Sequence, residues 1–227
     1  MKLKFLGLFA LLAFFSCNNS ATTTENTDSS TVNSSNATND TSGAMSKDEH
    51  GNMSNMNMDK GMMSAMNASM SKMHSMNMTG DFDTDWANMM IEHHQGAIDM
   101  ARVELSQGKD EKLKSKAQEI INKQKEEQDR LRDIVKNLKP SNMKMGEGEL
   151  QKSMATMMDQ MKSMEMTGDA DKDFAMMMIH HHEHGIEMAK KEVANGMNAD
   201  LKKIAQKSIP DQQKDISEMK SMSSSNK

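Results

Sequence analysis

Cysteine occurs once in the 227 residues, at position 17. One thiol excludes an intramolecular disulfide, a cysteine zinc site and a thiolate-held iron–sulfur cluster. Tyrosine is absent, tryptophan occurs once and aromatics make up 3% of the chain, so ordinary large core formers are scarce. The two prolines leave long stretches free to be helical. There is no positive excess either: the formal charge is −5, which gives no reason to expect nucleic acid as a partner. Methionine is what the chain has instead, at 30 residues. Either many methionines fill a core, or much of the chain is not core.

The N-terminus reads as an export signal over 1–16. Lys2 and Lys4 precede an apolar run from Leu6 to Phe15 that is too short to span a bilayer. The run ends at Phe15-Ser16-Cys17, which resembles a bacterial lipoprotein cleavage site, although Phe14 stands where such signals usually carry Leu. The resemblance implies acylation of Cys17 and an exported protein, lipid-anchored in the periplasm or at the outer membrane. The other reading is a plain secretory signal with an incidental Cys. Residues 17–44 are nearly all Ser, Thr, Asn, Asp and Glu and read as a disordered tether.

Beyond the tether the chain repeats. Met78-Thr79-Gly80-Asp81 returns as Met166-Thr167-Gly168-Asp169, and at that offset of 88 residues 78–108 and 166–196 match at 17 of 31 positions. Such density marks a duplication. Each copy reads as a helical hairpin, over 78–140 and 166–222. Asp81, Asp83 and Asp85 supply the cap and first-turn acids, with Gly108 as the stop. Asp169, Asp171, Asp173 and Gly196 repeat the arrangement. Pro210 predicts a kink or break in the last helix. Two hairpins that bury each other's apolar faces make an all-α four-helix bundle with pseudo-twofold symmetry. Methionine-rich segments precede the hairpins, at 45–77 and in a linker or short helix at 141–165, and within them about 61–76 and 149–164 offer an extra helix before each repeat.

At about 100° per residue the adjacent histidines divide. His93 falls on a stripe with Met89, Met90 and Met100, whereas His94 joins the aliphatic stripe. Asn88, Glu92, Gln95, Asp99 and Arg102 turn to water. In the second copy Met177, His181, His184 and Met188 share an arc of about 60°, close enough for neighbouring side chains to meet. Gly96 stands where His184 does, so the first copy offers the poorer site. Met89, Met90, Met177 and Met178 taken alone read first as core. His94 and His182 read equally as core histidines or ligands. Gln124 and Gln212 interrupt apolar stripes at the level of the histidines, which predicts second-shell hydrogen bonds to the rings. Segment 45–78 holds 11 methionines in 34 residues. Among them Met53, Met56 and Met58 have no apolar neighbours, and read as metal capture rather than core.

Thioethers and imidazoles without thiols are a soft donor set that suits Cu(I) and Ag(I), with imidazole extending it to Cu(II). Copper is the expected cargo and Ag(I) its surrogate.

The strings from Met90 to Ala101 (MIEHHQGAIDMA) and from Met178 to Ala189 (MIHHHEHGIEMA) resemble the signature of the domain-of-unknown-function 305 family. That resemblance implies a ferritin-like bundle of two similar repeats, exported, with some members binding copper in the periplasm. Glu92 and His180 stand where the family often has Pro, and the family has no common enzyme activity.

The leading expectation is therefore an envelope-anchored protein that sequesters copper through Met and His. Its partners are metal ions and, through the anchor, a membrane; a copper-handling protein partner leaves no signal in the sequence. The alternatives are a metal-dependent oxidase or ferroxidase and a structural surface lipoprotein. Against the oxidase, no Glu-x-x-His lies near either histidine pair, and blue copper needs a Cys ligand.

Overall fold

The computed structural model describes residues 61–139 and 147–225, which form six helices. They are α1 (Met62–Ser75), α2 (Phe82–Gln107), α3 (Glu111–Asn137), α4 (Glu147–Lys162), α5 (Ala170–Asn195) and α6 (Ala199–Ser225). Helices α2 and α3 form one hairpin and α5 and α6 the other; α2 lies on α5 and α3 on α6, closing a four-helix bundle. Signal, tether, Cys17, Met53, Met56 and Met58 lie outside the described residues.

The recurring Thr-Gly-Asp-x-Asp-x-Asp string has a separate task for each acid. Asp81 caps α2 by accepting from the Thr84 amide at 2.9 Å. Asp85 folds back to accept from the Thr79 and Gly80 amides at 2.7 and 2.9 Å. That turn places Gly80 at φ 81° and Gly168 at φ 78°, where a side chain would be strained. Asp83 serves the other copy, accepting from the Met197 and Asn198 amides at 2.8 and 2.9 Å. Asp171 returns the favour to the Lys109 and Asp110 amides, each at 2.9 Å. Asp83 and Asp171 are therefore not simply first-turn acids, because each crosses the bundle to hold the opposite hairpin turn.

Gly108 and Gly196 stop α2 and α5 in an extended conformation, with φ near −66° and −62°. What demands glycine is crowding: a Cβ at Gly108 would sit 2.3 Å from Glu104 Oε1, and one at Gly196 would sit 2.2 Å from Glu192 Oε1. Both glutamates are fully buried. Burial, and then the neighbouring Asp171, raises Glu104 to about 8. Burial and Asp83 raise Glu192 to about 8. At neutral pH each carboxyl is largely protonated, so it has a proton to donate to its aspartate.

Methionine does fill the core, with fourteen residues buried among those described, including Met62, Met66, Met70 and Met73 on α1. The extra helix offered by about 61–76 is α1, whose unbranched thioethers pack against α2. Glu92, Gln95, Asp99 and Arg102 are half-buried rather than turned fully to water: α1 meets Glu92 through Ser69, and Gln128 of α3 approaches Gln95. The offset of 88 also pairs Met66 with Met154, Met70 with Met158 and Met73 with Met161. The repeated unit thus contains three helices, not two. Helix α6 continues through Pro210 without interruption.

Candidate metal centre

Helices α2 and α5 meet at equivalent positions of the two repeats, which brings His93 onto His181. Their rings stack with centroids 3.7 Å apart and planes 27° apart. The His184 ring lies 5.4 Å from that of His93. Met89, Met90, Met100, Met177, Met178 and Met188 are buried to within 1% along the same two helices, above and below the rings. Trp86, the sole tryptophan, donates from Nε1 to the Met188 carbonyl at 2.8 Å. The structure therefore assembles His93, His181 and His184 at one place, in a core rich in thioethers.

The protons on these rings follow from their neighbours. His181 Nε2 donates to the His93 carbonyl at 2.9 Å, so its Nδ1 carries a lone pair. His184 Nε2 donates to the Ser153 carbonyl at 3.1 Å, which likewise frees Nδ1. Both of those Nδ1 atoms, and both ring nitrogens of His93, are buried with no hydrogen-bond partner. Burial, reinforced by the other histidines, holds His93 and His181 well below the usual imidazole range. Burial also lowers His184. The rings are neutral at pH 7, and protons do not compete with a metal for them.

His94 and His182 point to the opposite side, toward α3 and α6. His94 Nε2 is 3.1 Å from Glu127 Oε1, and His182 Nε2 is 3.6 Å from Asp215 Oδ2. Neither contact is aligned as a hydrogen bond. Buried Lys116 bridges Asp215 and Glu218 at 2.5 Å each. Burial alone would raise Asp215, but the neighbouring His182 and its bond with Lys116 outweigh this and hold it far below the carboxylate range. Each outer histidine thus has a carboxylate neighbour of the kind that fixes ring orientation.

The expected hydrogen bonds from Gln124 and Gln212 to the rings do not form. Both side chains are buried and both Oε1 atoms lack a partner. The Gln212 amide instead lies over Gly185, at the same spot approached by His93 Cε1. The groups that do face the histidines, Glu127, Asp215 and Ser153, were missed by the sequence reading. Glu127 and Asp215 stand at the repeat offset of 88, three residues beyond Gln124 and Gln212, so extending the match past 108 finds them.

Gly96 and His184 explain why the repeats differ. A Cβ at Gly96 would lie 2.9 Å from Ser69 Oγ and 3.0 Å from Ser69 Cβ. Glycine lets α1 close onto α2, where Ser69 Oγ donates to the Glu92 carbonyl at 2.6 Å. In the second copy the imidazole of His184 fills that space, and α4 rests more lightly on α5 than α1 does on α2. His180 is exposed and pairs with Glu183 at 3.4 Å.

Among the described residues, no three His, Cys, Asp or Glu side chains form a ready cage for a metal ion. The donors on offer are isolated imidazole nitrogens beside thioethers, a set for a soft ion of low coordination number.

No curated protein matches this chain. Two solved structures resemble it in part. A structure of CopM in the Ag-bound form, obtained by soaking, is 26% identical over 62% of this chain and 93% of that one, with a TM-score of 0.47. CopM in the Cu(I)-bound form is 25% identical over 62% and 94%, with the same score. The profile of the family described as "Domain of unknown function (DUF305)" matches residues 19–135 and 136–223, one segment for each repeat. This chain belongs to the DUF305 family.

Proposed function

We propose that this protein binds and sequesters copper through mixed imidazole and thioether ligands. The observation that carries the reading is the set of buried imidazole nitrogens without hydrogen-bond partners on His93, His181 and His184. Leaving a buried polar atom unpaired costs about 1–3 kcal/mol. Several such atoms within one cluster are hard to sustain as mere core filling, and a soft ion satisfies those that carry a lone pair, one on each ring. Neutral rings and flexible thioethers suit Cu(I), and imidazole extends the range to Cu(II). Copper is here a cargo and not a cofactor.

Binding, not catalysis, is the role we infer. Glu104 and Glu192 sit at the hairpin turns beside aspartates, where they supply no carboxylate to the histidines. A di-iron centre needs its glutamates and histidines to converge. We further propose that acylated Cys17 holds the protein at the cell envelope, a reading supported by Lys2, Lys4, the short apolar run and Ser16. Cys17→Ser should release the protein from the membrane fraction; unchanged partition with no lipid mass on Cys17 would sink the anchor.

The copper reading is tested by titrating the purified protein with Cu(I) against a competing chelator. His181→Ala and His93→Ala should each weaken the tightest site by about tenfold or more, equivalent to at least about 1.4 kcal/mol. X-ray absorption should show both nitrogen and sulfur neighbours. Unchanged affinity in both variants would remove the histidine cluster from the site.

A further inference from the structure

Helices α1 and α4 are repeat counterparts, and a cleft of about 340 Å³ opens between them. Its chemistry is unusual for a surface feature. Met63, Met70, Met158, Met161 and Met164 line it, with the exposed His74 at the rim. Met63, Met158 and Met164 are half-buried, so their thioethers are reachable from solvent. Next to the cleft a second, much smaller pocket of about 10 Å³ opens beside the exposed Gln160 and His180 and is lined by Met66, Met157, Met161, Met164, Met177 and His181. That volume is close to the least that admits one water. Met161 and Met164 line both spaces, so thioethers join the cleft to the pocket at His181.

We propose that the α1–α4 cleft is a capture site for a monovalent soft ion, Cu(I) or Ag(I), which it passes through Met161 and Met164 to the smaller pocket at His181. The inference rests on the copper-binding reading and adds an entry site and a route. Thioether is neutral and soft, so it holds Cu(I) while leaving it free to exchange between sulfurs. The smaller pocket is about the size of one small particle, and the Nδ1 atom of His181 is buried and unpartnered. A stronger nitrogen donor there gives the ion a reason to move from the thioethers toward His181. The α1–α4 pairing is also sparse compared with the hairpin contacts, so the cleft can adjust around an ion without disturbing the bundle.

The test uses the full chain, grown with methyl-¹³C methionine and titrated with Ag(I). The methyl resonances of Met63, Met70, Met158, Met161 and Met164 should shift at the earliest additions, and the His181 ring later. Met70→Leu/Met158→Leu keeps apolar volume but removes two thioethers. It should bind one equivalent fewer and load the histidine cluster about tenfold more slowly. Should that variant fail to fold by circular dichroism, the order of shifts in the native protein still decides. Native protein that binds Ag(I) and Cu(I) while the cleft methyls stay unmoved overturns the cleft and leaves the copper reading standing. A native stoichiometry and rate in a folded Leu variant does the same. Native protein that binds neither ion overturns the copper reading itself.

Discussion

Replacing Glu104 and Glu192 by glutamine should flatten the pH dependence of stability. Each carboxyl moves from an ordinary 4.5 to about 8 on folding, because it is buried beside an aspartate that already serves two amides. Between those values the native state binds more protons than the unfolded chain. Stability is complete below about 4.5 and is lost as pH rises through about 8. The limiting slope is about 1.4 kcal/mol per pH unit for each group. A shift of this size sets a ceiling of roughly 5 kcal/mol per glutamate. The shift already includes the opposing pull of Lys114 and Lys202, and relaxation of the buried site leaves about 2 kcal/mol as the expected loss for each. Glutamine mimics the protonated form, so Glu104→Gln/Glu192→Gln should be less sensitive to pH and more stable than the native protein at pH 9. Urea unfolding at intervals from pH 5 to 9 measures this. The buried histidines act with the opposite sign below their usual range, but they are common to both proteins and cancel in the difference. Parallel pH profiles for native and variant would refute the shared-proton reasoning.

Gly96→Ala should destabilise the protein by about 1–2 kcal/mol in thermal unfolding, since overpacking against Ser69 outweighs the gain in helix propensity. His184→Gly recreates Gly96 and should lower Cu(I) affinity toward that of a one-histidine repeat, measured by chelator competition. Trp86 is bonded to the Met188 carbonyl beside the cluster, so its emission should change on Ag(I) binding and stay constant in a non-binding variant. Chelator-treated protein should keep its helical far-ultraviolet dichroism, because the apolar core is complete without metal; a coil spectrum would contradict the fold as described.

The helices were legible because their signals are local. Asp110, two residues past the Gly108 stop, opens α3 by accepting from the Lys112 amide at 2.7 Å, and Leu113, Ala117, Ile120 and Leu131 at helical spacing are buried as a stripe. The pairing of His93 with His181 across the bundle was not legible, although the duplication implied equivalent places for them. Angular position on one helix says which side a ring takes, not which ring it meets. The tasks of Asp83, Asp171, Glu104 and Glu192 were hidden for the same reason, as their partners lie in the opposite repeat. At α1 methionine left the role open rather than the helix, since a thioether serves as core and as ligand with the same side chain.

The crossed contacts of Asp83 and Asp171 also bear on what one repeat does alone. A polypeptide with a single copy carries both the acid and the turn that accepts it, but its own acid cannot reach its own turn. Both halves of an isologous interface are then present on one surface, and a twofold rotation satisfies them together. Such a half-length chain should exist as a homodimer, with each subunit closing the turn of the other and the two equivalent histidines meeting on the symmetry axis. In the full chain that axis survives as an internal one, so Asp83→Ala or Asp171→Ala loosens a subunit boundary that the covalent linker at 140–146 has made permanent.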